Sequence, residues 1–205
     1  MSSKGFDPDR YFKLSSTIIQ KFVSSKKYQK AVEMLFECWQ NKGTIFTMGC
    51  GGSASTASHF ASDLAKTTIV PNKNRFKAIS LVDNTSLVSA WTNDYGWKVI
   101  FSEQLEAWLT DNDILVGFSV HGGSHEEDKS WSQNLTEAMK LAKERKAKII
   151  GFSGFSGGAM KKLADVNLLV PVSKEPYATA LIESIHVMIH HAIIFDLKER
   201  ISKSS

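Results

Sequence analysis

A chain of 205 residues with 42% hydrophobic and 22% charged side chains is long enough to bury one core without staples. Its formal net charge is +4, from 25 basic and 21 acidic side chains, and no run of five or six like charges occurs. That balance argues against nucleic acid or an anionic membrane surface as a partner, while the mild positive surplus suits a phosphorylated small molecule. The two cysteines, Cys38 and Cys50, make neither a disulfide framework nor a metal-ligand spacing, so a reducing cytoplasmic compartment is expected. No secretory apolar run opens the sequence, and no stretch is read as the roughly 20 apolar residues of a membrane span.

Amphipathic periodicity predicts helices over about 9–24 and 27–41, the second placing Ala31, Leu35, Phe36 and Trp39 on one face. Gly43 ends it, and a β-rich run over 44–48 follows. Further strands are predicted over 76–81, 114–118, 148–152 and 167–172, with helical patterns between them, the clearest over 135–146. Most of these strands are continuous apolar runs, as expected when helices cover both faces of a parallel sheet. A long helix over 178–201, preceded by Pro176, is apolar around most of its circumference and must be buried by its own domain or by a partner subunit. The chain is expected to be one domain, with helices over 1–42 leading an α/β sandwich over 43–205. Three helices beyond the needs of a five-stranded sheet favour a helix-mediated oligomer.

Two loops stand after predicted strands and are rich in small residues. Gly49-Cys50-Gly51-Gly52-Ser53-Ala54-Ser55 opens a helix, and Ser119-Val120-His121-Gly122-Gly123-Ser124 follows the third strand. Glycines let backbone N–H groups approach an anion, the helix N-terminus adds partial positive charge, and Ser53 and Ser55 offer hydroxyls. Each loop alone is as easily a capped turn. Two of them after strands one and three predict a phosphate cradle at the sheet's switch point. The first loop lacks the third glycine of a dinucleotide fingerprint.

His59 and Asp63 are spaced i, i+4 on the helix after the first loop and share a face. Glu183, His186, His190 and His191 interrupt the apolar last helix, which is costly unless they are paired or bind a metal. Helical spacing pairs Glu183 with His190 or His186 rather than with His191. Asn93-Asp94-Tyr95-Gly96 offers Asp94 to sugar hydroxyls or makes an Asx turn. The polar stretch 125–134 is either a lid, with Trp131 as a stacking surface, or a surface loop.

Gly49-Cys50-Gly51-Gly52-Ser53, Ser58-His59-Phe60-Ala61-Ser62-Asp63-Leu64, the loop over 119–124 and the histidine-rich last helix resemble the sugar isomerase (SIS) family, closest to its phosphoheptose isomerase group. The resemblance implies a three-layer α/β fold with a five-stranded parallel, flavodoxin-like sheet, extra N-terminal helices and a long C-terminal helix, assembled as a homotetramer. It implies interconversion of a ketose phosphate and an aldose phosphate, with sedoheptulose 7-phosphate the first substrate. Phosphate ligands then fall on Ser53, Ser119 and Ser124, beside the Ser55 hydroxyl that the loop itself offers, with His121 standing where the family has another serine. A divalent metal, zinc in first place, falls on His59, Asp63, Glu183 and His191, with Asp63 as base and His191 as acid. The family pattern has glutamate at Asp63, glutamine at Glu183 and arginine at Thr67. SIS domains also occur as non-catalytic sensors or scaffolds, and the polar cluster is what separates the two readings.

Overall fold

In the computed structural model, residues 6–20, 22, 25–124, 132–172 and 177–204 are described. The elements in chain order are helices α1 (Pro8–Gln20) and α2 (Lys26–Gln40), strand β1 (Thr44–Gly49), α3 (Gly52–Lys66), β2 (Lys77–Ser80), α4 (Thr85–Tyr95) and α5 (Ser102–Glu106). They continue with β3 (Ile114–Ser119), α6 (Gln133–Glu144), β4 (Lys148–Ser153), α7 (Met160–Leu163), β5 (Val166–Leu169) and α8 (Ala178–Lys203). Four strands lie within two residues of where the apolar runs put them, and the fifth ends at Leu169, three residues short of the expected 172.

The five strands pair in parallel in the order β2-β1-β3-β4-β5. This is the flavodoxin-like order, whose direction of winding reverses between β1 and β3. Strands β3 and β4 are buried along nearly their whole length, which is why alternation was absent from the sequence. One core joins Leu35 and Trp39 of α2, Phe60 and Leu64 of α3 and Ile185, Ile189 and Ile193 of α8 to one face of the sheet. A second core joins Phe101 and Leu105 of the α5 segment and Leu135 and Met139 of α6 to the other face. The result is three layers.

Helix α8 spans 26 residues and buries Leu181, Ile182, Ile185, Ile189, Ile193, Ile194, Leu197 and Ile201, yet leaves Met188 49% and Phe195 63% exposed. By length and composition alone it could cross a membrane, with a mean hydropathy of 1.4, which corrects the sequence expectation that no stretch approaches that threshold. Half of that window is buried within the protein, so its apolarity serves the core. Helix α4 is the opposite case. None of its residues is buried, although Leu87, Trp91 and Tyr95 lie on it and Trp97 follows it.

Candidate active site

The switch point places the ends of β1 and β3 side by side, Gly49 pairing with Phe118. The two glycine-rich loops leave from there. Gly51, at φ 58°, turns the chain into α3, and Ser53 is buried in its first turn while Ser55 is exposed. In the second loop the Gly122 N–H donates to Ser119 Oγ at 3.0 Å, leaving the Ser119 proton available for an incoming oxygen. Gly122 has φ 81°, and a Cβ there would stand 2.1 Å from the Gly157 carbonyl oxygen. Only glycine fits this crossing of two backbones. Ser124 Oγ is buried without a hydrogen-bond partner among the described residues. Such a donor costs about 1–3 kcal/mol unless a ligand accepts from it.

His121 stacks flat on Phe155, ring centroids 4.3 Å apart at 6°. Burial holds its imidazole below the ordinary histidine value, so near neutrality it offers a neutral nitrogen rather than a charged donor. Cys50 Sγ lies 3.3 Å from Asn134 Nδ2, tying the first loop to the start of α6. Asp94 is exposed near the C-terminal end of α4, where Asn93 Nδ2 donates to it at 2.8 Å. It is nine residues beyond the start of that helix, about 14 Å along its axis. Residues 125–131, the larger part of the expected lid and including Trp131, lie outside the described residues.

The second half of the site is built from side chains. α3 and α8 pack together and bring His59, Asp63, His190 and His191 into one group, one ligand atom from each lying within 4.8 Å of all the others. His59 Nε2 is 3.4 Å from Asp63 Oδ2, His191 Nε2 is 3.6 Å from the same oxygen, and the two nitrogens are 3.4 Å apart. A tetrahedron with bonds of about 2.0–2.2 Å has edges of about 3.3–3.6 Å, so these three atoms outline one face of a zinc-sized coordination sphere. Thr67 Oγ1 donates to Asp63 Oδ1 at 2.9 Å and fixes the carboxylate's orientation.

His190 is buried, and neither ring nitrogen has a partner among the described residues. Burial first, then the neighbouring His191, His59 and His186, pushes it down to about 3, so its imidazole stays neutral as a metal ligand must. His186 has a different fate. It is fully buried against Phe118 and Phe152, its Nε2 meets the Ser153 carbonyl at 3.2 Å, and burial takes it down to about 4. It is a satisfied core histidine.

Glu183 is outside the four-residue group. Its carboxylate lies against Gly52, where a Cβ would stand 2.6 Å from both of its oxygens. Along α8, Glu183 and His191 are separated by eight residues, about 12 Å of rise. The fourth member of the group in this structure is His190. Helical spacing had drawn attention to His190 through its register with Glu183. What brings it in is its contact with His59, ring centroids 4.8 Å apart, across 131 residues of sequence.

A family model described as SIS domain matches residues 10–154. The chain belongs to the SIS domain family. Its relatives include the phosphoheptose isomerase of Campylobacter jejuni, 40% identical over 164 residues that cover 80% of this chain and 81% of that one. The lincomycin biosynthesis protein LmbN of Streptomyces lincolnensis is 52% identical over 161 residues, covering 78% of this chain. Only 58% of that relative's length is matched. Among solved structures, phosphoheptose isomerase GmhA from Neisseria gonorrhoeae superposes with a TM-score of 0.80 at 30% identity, covering 94% of this chain and 97% of that one. The SIS fold of this chain is therefore the fold of the phosphoheptose isomerases.

Proposed function

We propose that this SIS protein is a ketose–aldose isomerase of sugar phosphates, acting on sedoheptulose 7-phosphate to give a heptose 7-phosphate. The observation that carries the reading is the tetrahedral face made by His59 Nε2, Asp63 Oδ2 and His191 Nε2, one groove away from a serine-rich anion loop. The names of the relatives, phosphoheptose isomerase in Campylobacter and Neisseria, supply the substrate class. A sensor or scaffold needs the loops but has no use for three histidines and a carboxylate closing on one point.

In this reading Ser53, Ser55, Ser119 and Ser124 hold the phosphate, and the buried Ser124 hydroxyl gains the acceptor it lacks. Charge-assisted hydrogen bonds of this kind are worth about 1.5–3 kcal/mol each. His121 walls the phosphate end, and Asp94 meets the sugar hydroxyls from a neighbouring subunit. A divalent ion, zinc by the nitrogen-rich donor set, is held by His59, Asp63, His190 and His191, and polarises the substrate's carbonyl oxygen when bound. Glu183 lies nearer the phosphate loops, over Gly52.

The same reading covers the assembly. Two separate apolar surfaces, Leu87, Trp91, Tyr95 and Trp97 around α4 and Phe12, Met188 and Phe195 across α1 and α8, lie at least partly open in one chain. A dihedral homotetramer uses two self-complementary patches per subunit. Each protomer is one domain, α1 and α2 packing on the α/β sandwich that follows, and works in the cytoplasm, where the free Cys38 and Cys50 stay reduced.

A second reading, the same isomerisation on another sugar phosphate, is favoured by the 52% identity to LmbN and by His121 at a phosphate position. One experiment separates the readings. The purified protein is incubated in deuterium oxide with pentose, hexose, heptose and longer ketose phosphates, and label at C1 or C2 is followed. Exchange with sedoheptulose 7-phosphate supports the first reading, exchange with another sugar alone supports the second, and tight binding without exchange supports a sensor.

A further inference from the structure

The loops that follow β1, β3 and β4, over 49–55, 119–124 and 154–159, contain no lysine or arginine. Their polar groups are backbone amides and short side chains, and His121 carries the one side-chain nitrogen among them. Its backbone is pinned from several sides. The turn from Ser119 to Gly122 is closed by the bond to Ser119 Oγ, and the His121 carbonyl passes so close to Gly158 that no Cβ fits there. The Met160 and Ala159 N–H groups donate to the Gly122 and Gly123 carbonyls at 2.8 and 3.2 Å, sewing the loop after β4 to the loop after β3.

The ring is held as well, by a residue under strain. Phe155 takes φ 46°, a left-handed conformation that bulky side chains rarely adopt. It stands at the first central position of a turn closed by the Gly157 N–H on the Gly154 carbonyl at 2.9 Å, where glycine, asparagine or aspartate is the usual choice. Strain of this kind persists where the surroundings over-determine it, and it gathers at ligand sites. What the strained turn delivers here is a ring plane, 6° from that of His121 with centroids 4.3 Å apart. The loop after β3 leads to α6 on one face of the sheet, yet Phe155 packs against the core shared by α3 and α8 on the other. Stacking on Phe155 therefore draws the His121 ring toward the face on which the first glycine-rich loop opens α3. That puts the imidazole at the crevice between the two loops.

Resting on the reading of this crevice as the phosphate site of a sugar-phosphate isomerase, we propose that His121 binds the substrate's phosphate through a ring N–H and that Phe155 is its positioning residue. A hydroxyl finds its acceptor by rotating about one bond, whereas an imidazole must be aimed as a plane, and the stack supplies that aim. A neutral imidazole gives one N–H, so one phosphate oxygen is engaged. The contact is made to the phosphate and not to the carbon chain, so inorganic phosphate and a sugar phosphate feel it equally.

The test measures the affinities of inorganic phosphate and sedoheptulose 7-phosphate, alongside thermal unfolding, for the wild type, His121→Ala, Phe155→Tyr, Phe155→Gly and the double variant His121→Ala/Phe155→Gly. His121→Ala is expected to weaken both ligands by about 10-fold, the loss of one hydrogen bond to a charged group. Phe155→Tyr keeps the ring and should bind both within about threefold of the wild type. Phe155→Gly keeps the turn, since glycine is at ease at positive φ, and should weaken both by about 5–10-fold. Phe155→Leu, which fills the same space without a plane, repeats the measurement should the glycine variant unfold. Added to His121→Ala, Phe155→Gly should cost less than about a further twofold, because a positioning residue has nothing left to position. Unchanged phosphate affinity in His121→Ala, or weakening confined to the sugar phosphate, overturns the assignment of His121. Losses that multiply in the double variant overturn that of Phe155. A wild type that binds neither ligand overturns the phosphate site and both assignments with it. Affinities that follow the expected pattern in a protein that labels no sugar overturn the isomerase reading alone and uphold the clamp.

Discussion

The two ends of the groove are made of different materials. At the phosphate end the donors are backbone amides and short hydroxyls on loops whose shape is dictated locally, by Gly51 and Gly122 at positive φ and by Ser119 Oγ closing the turn. At the metal end nothing is local beyond the i, i+4 pair His59 and Asp63, and the site exists only because α8 lies along α3. The first end tolerates the loss of one donor among several. The second has a fixed number of ligands, so it fails in steps. Binding and chemistry are thereby given to parts of the fold that fail in different ways.

That difference can be broken from either side. The largest effect is expected at the metal end. Asp63→Ala removes the oxygen shared by two imidazoles and should lower isomerisation by about 10³-fold with loss of stoichiometric metal, read by elemental analysis and turnover. A full complement of metal and unchanged turnover in this variant would dissolve the metal centre as argued. At the phosphate end Ser124→Ala should raise KM by about 10–100-fold and leave kcat within a few-fold, because one charge-assisted hydrogen bond is lost from binding. A fall in kcat alone would place Ser124 at the chemistry instead.

Thr67→Val keeps the shape and removes the hydrogen bond to Asp63 Oδ1, and should weaken metal affinity by about 10-fold without altering KM for the phosphosugar at saturating metal. Competition with a chelating dye measures it, and unchanged affinity would show that Asp63 is oriented by its histidine neighbours alone.

The last effect lies outside the groove and concerns pH. His186 is held down to about 4 in the fold against an ordinary value near 6.5, so between those values the unfolded chain binds the extra proton. Its contribution is present above about pH 6.5 and is lost as pH falls toward 4, by about 3 kcal/mol at most. Glutamine at this position can still donate to the Ser153 carbonyl but does not titrate. His186→Gln should therefore flatten the decline in unfolding free energy over that window, as followed by denaturant titrations at several pH values. An unchanged slope would assign the decline to other groups.

The sheet was legible in the sequence because burial on both faces writes itself as uninterrupted apolar runs such as Ile114-Leu115-Val116 and Ile149-Ile150-Gly151-Phe152. The loops were legible because a left-handed turn beside a second backbone admits little but glycine. His59 and Asp63 could be paired for the same local reason, one turn of helix apart. The last helix defeated such reasoning. Its polar residues Glu183, His186, His190 and His191 look alike along the chain, and three fates separate them in space: one carboxylate over Gly52, one histidine spent on the Ser153 carbonyl, and two histidines turned toward His59. Periodicity says which residues of a helix share a face. It carries no information about what that face meets 130 residues away, and here that meeting separates the two histidines that join His59 and Asp63 from the histidine and the carboxylate that do not.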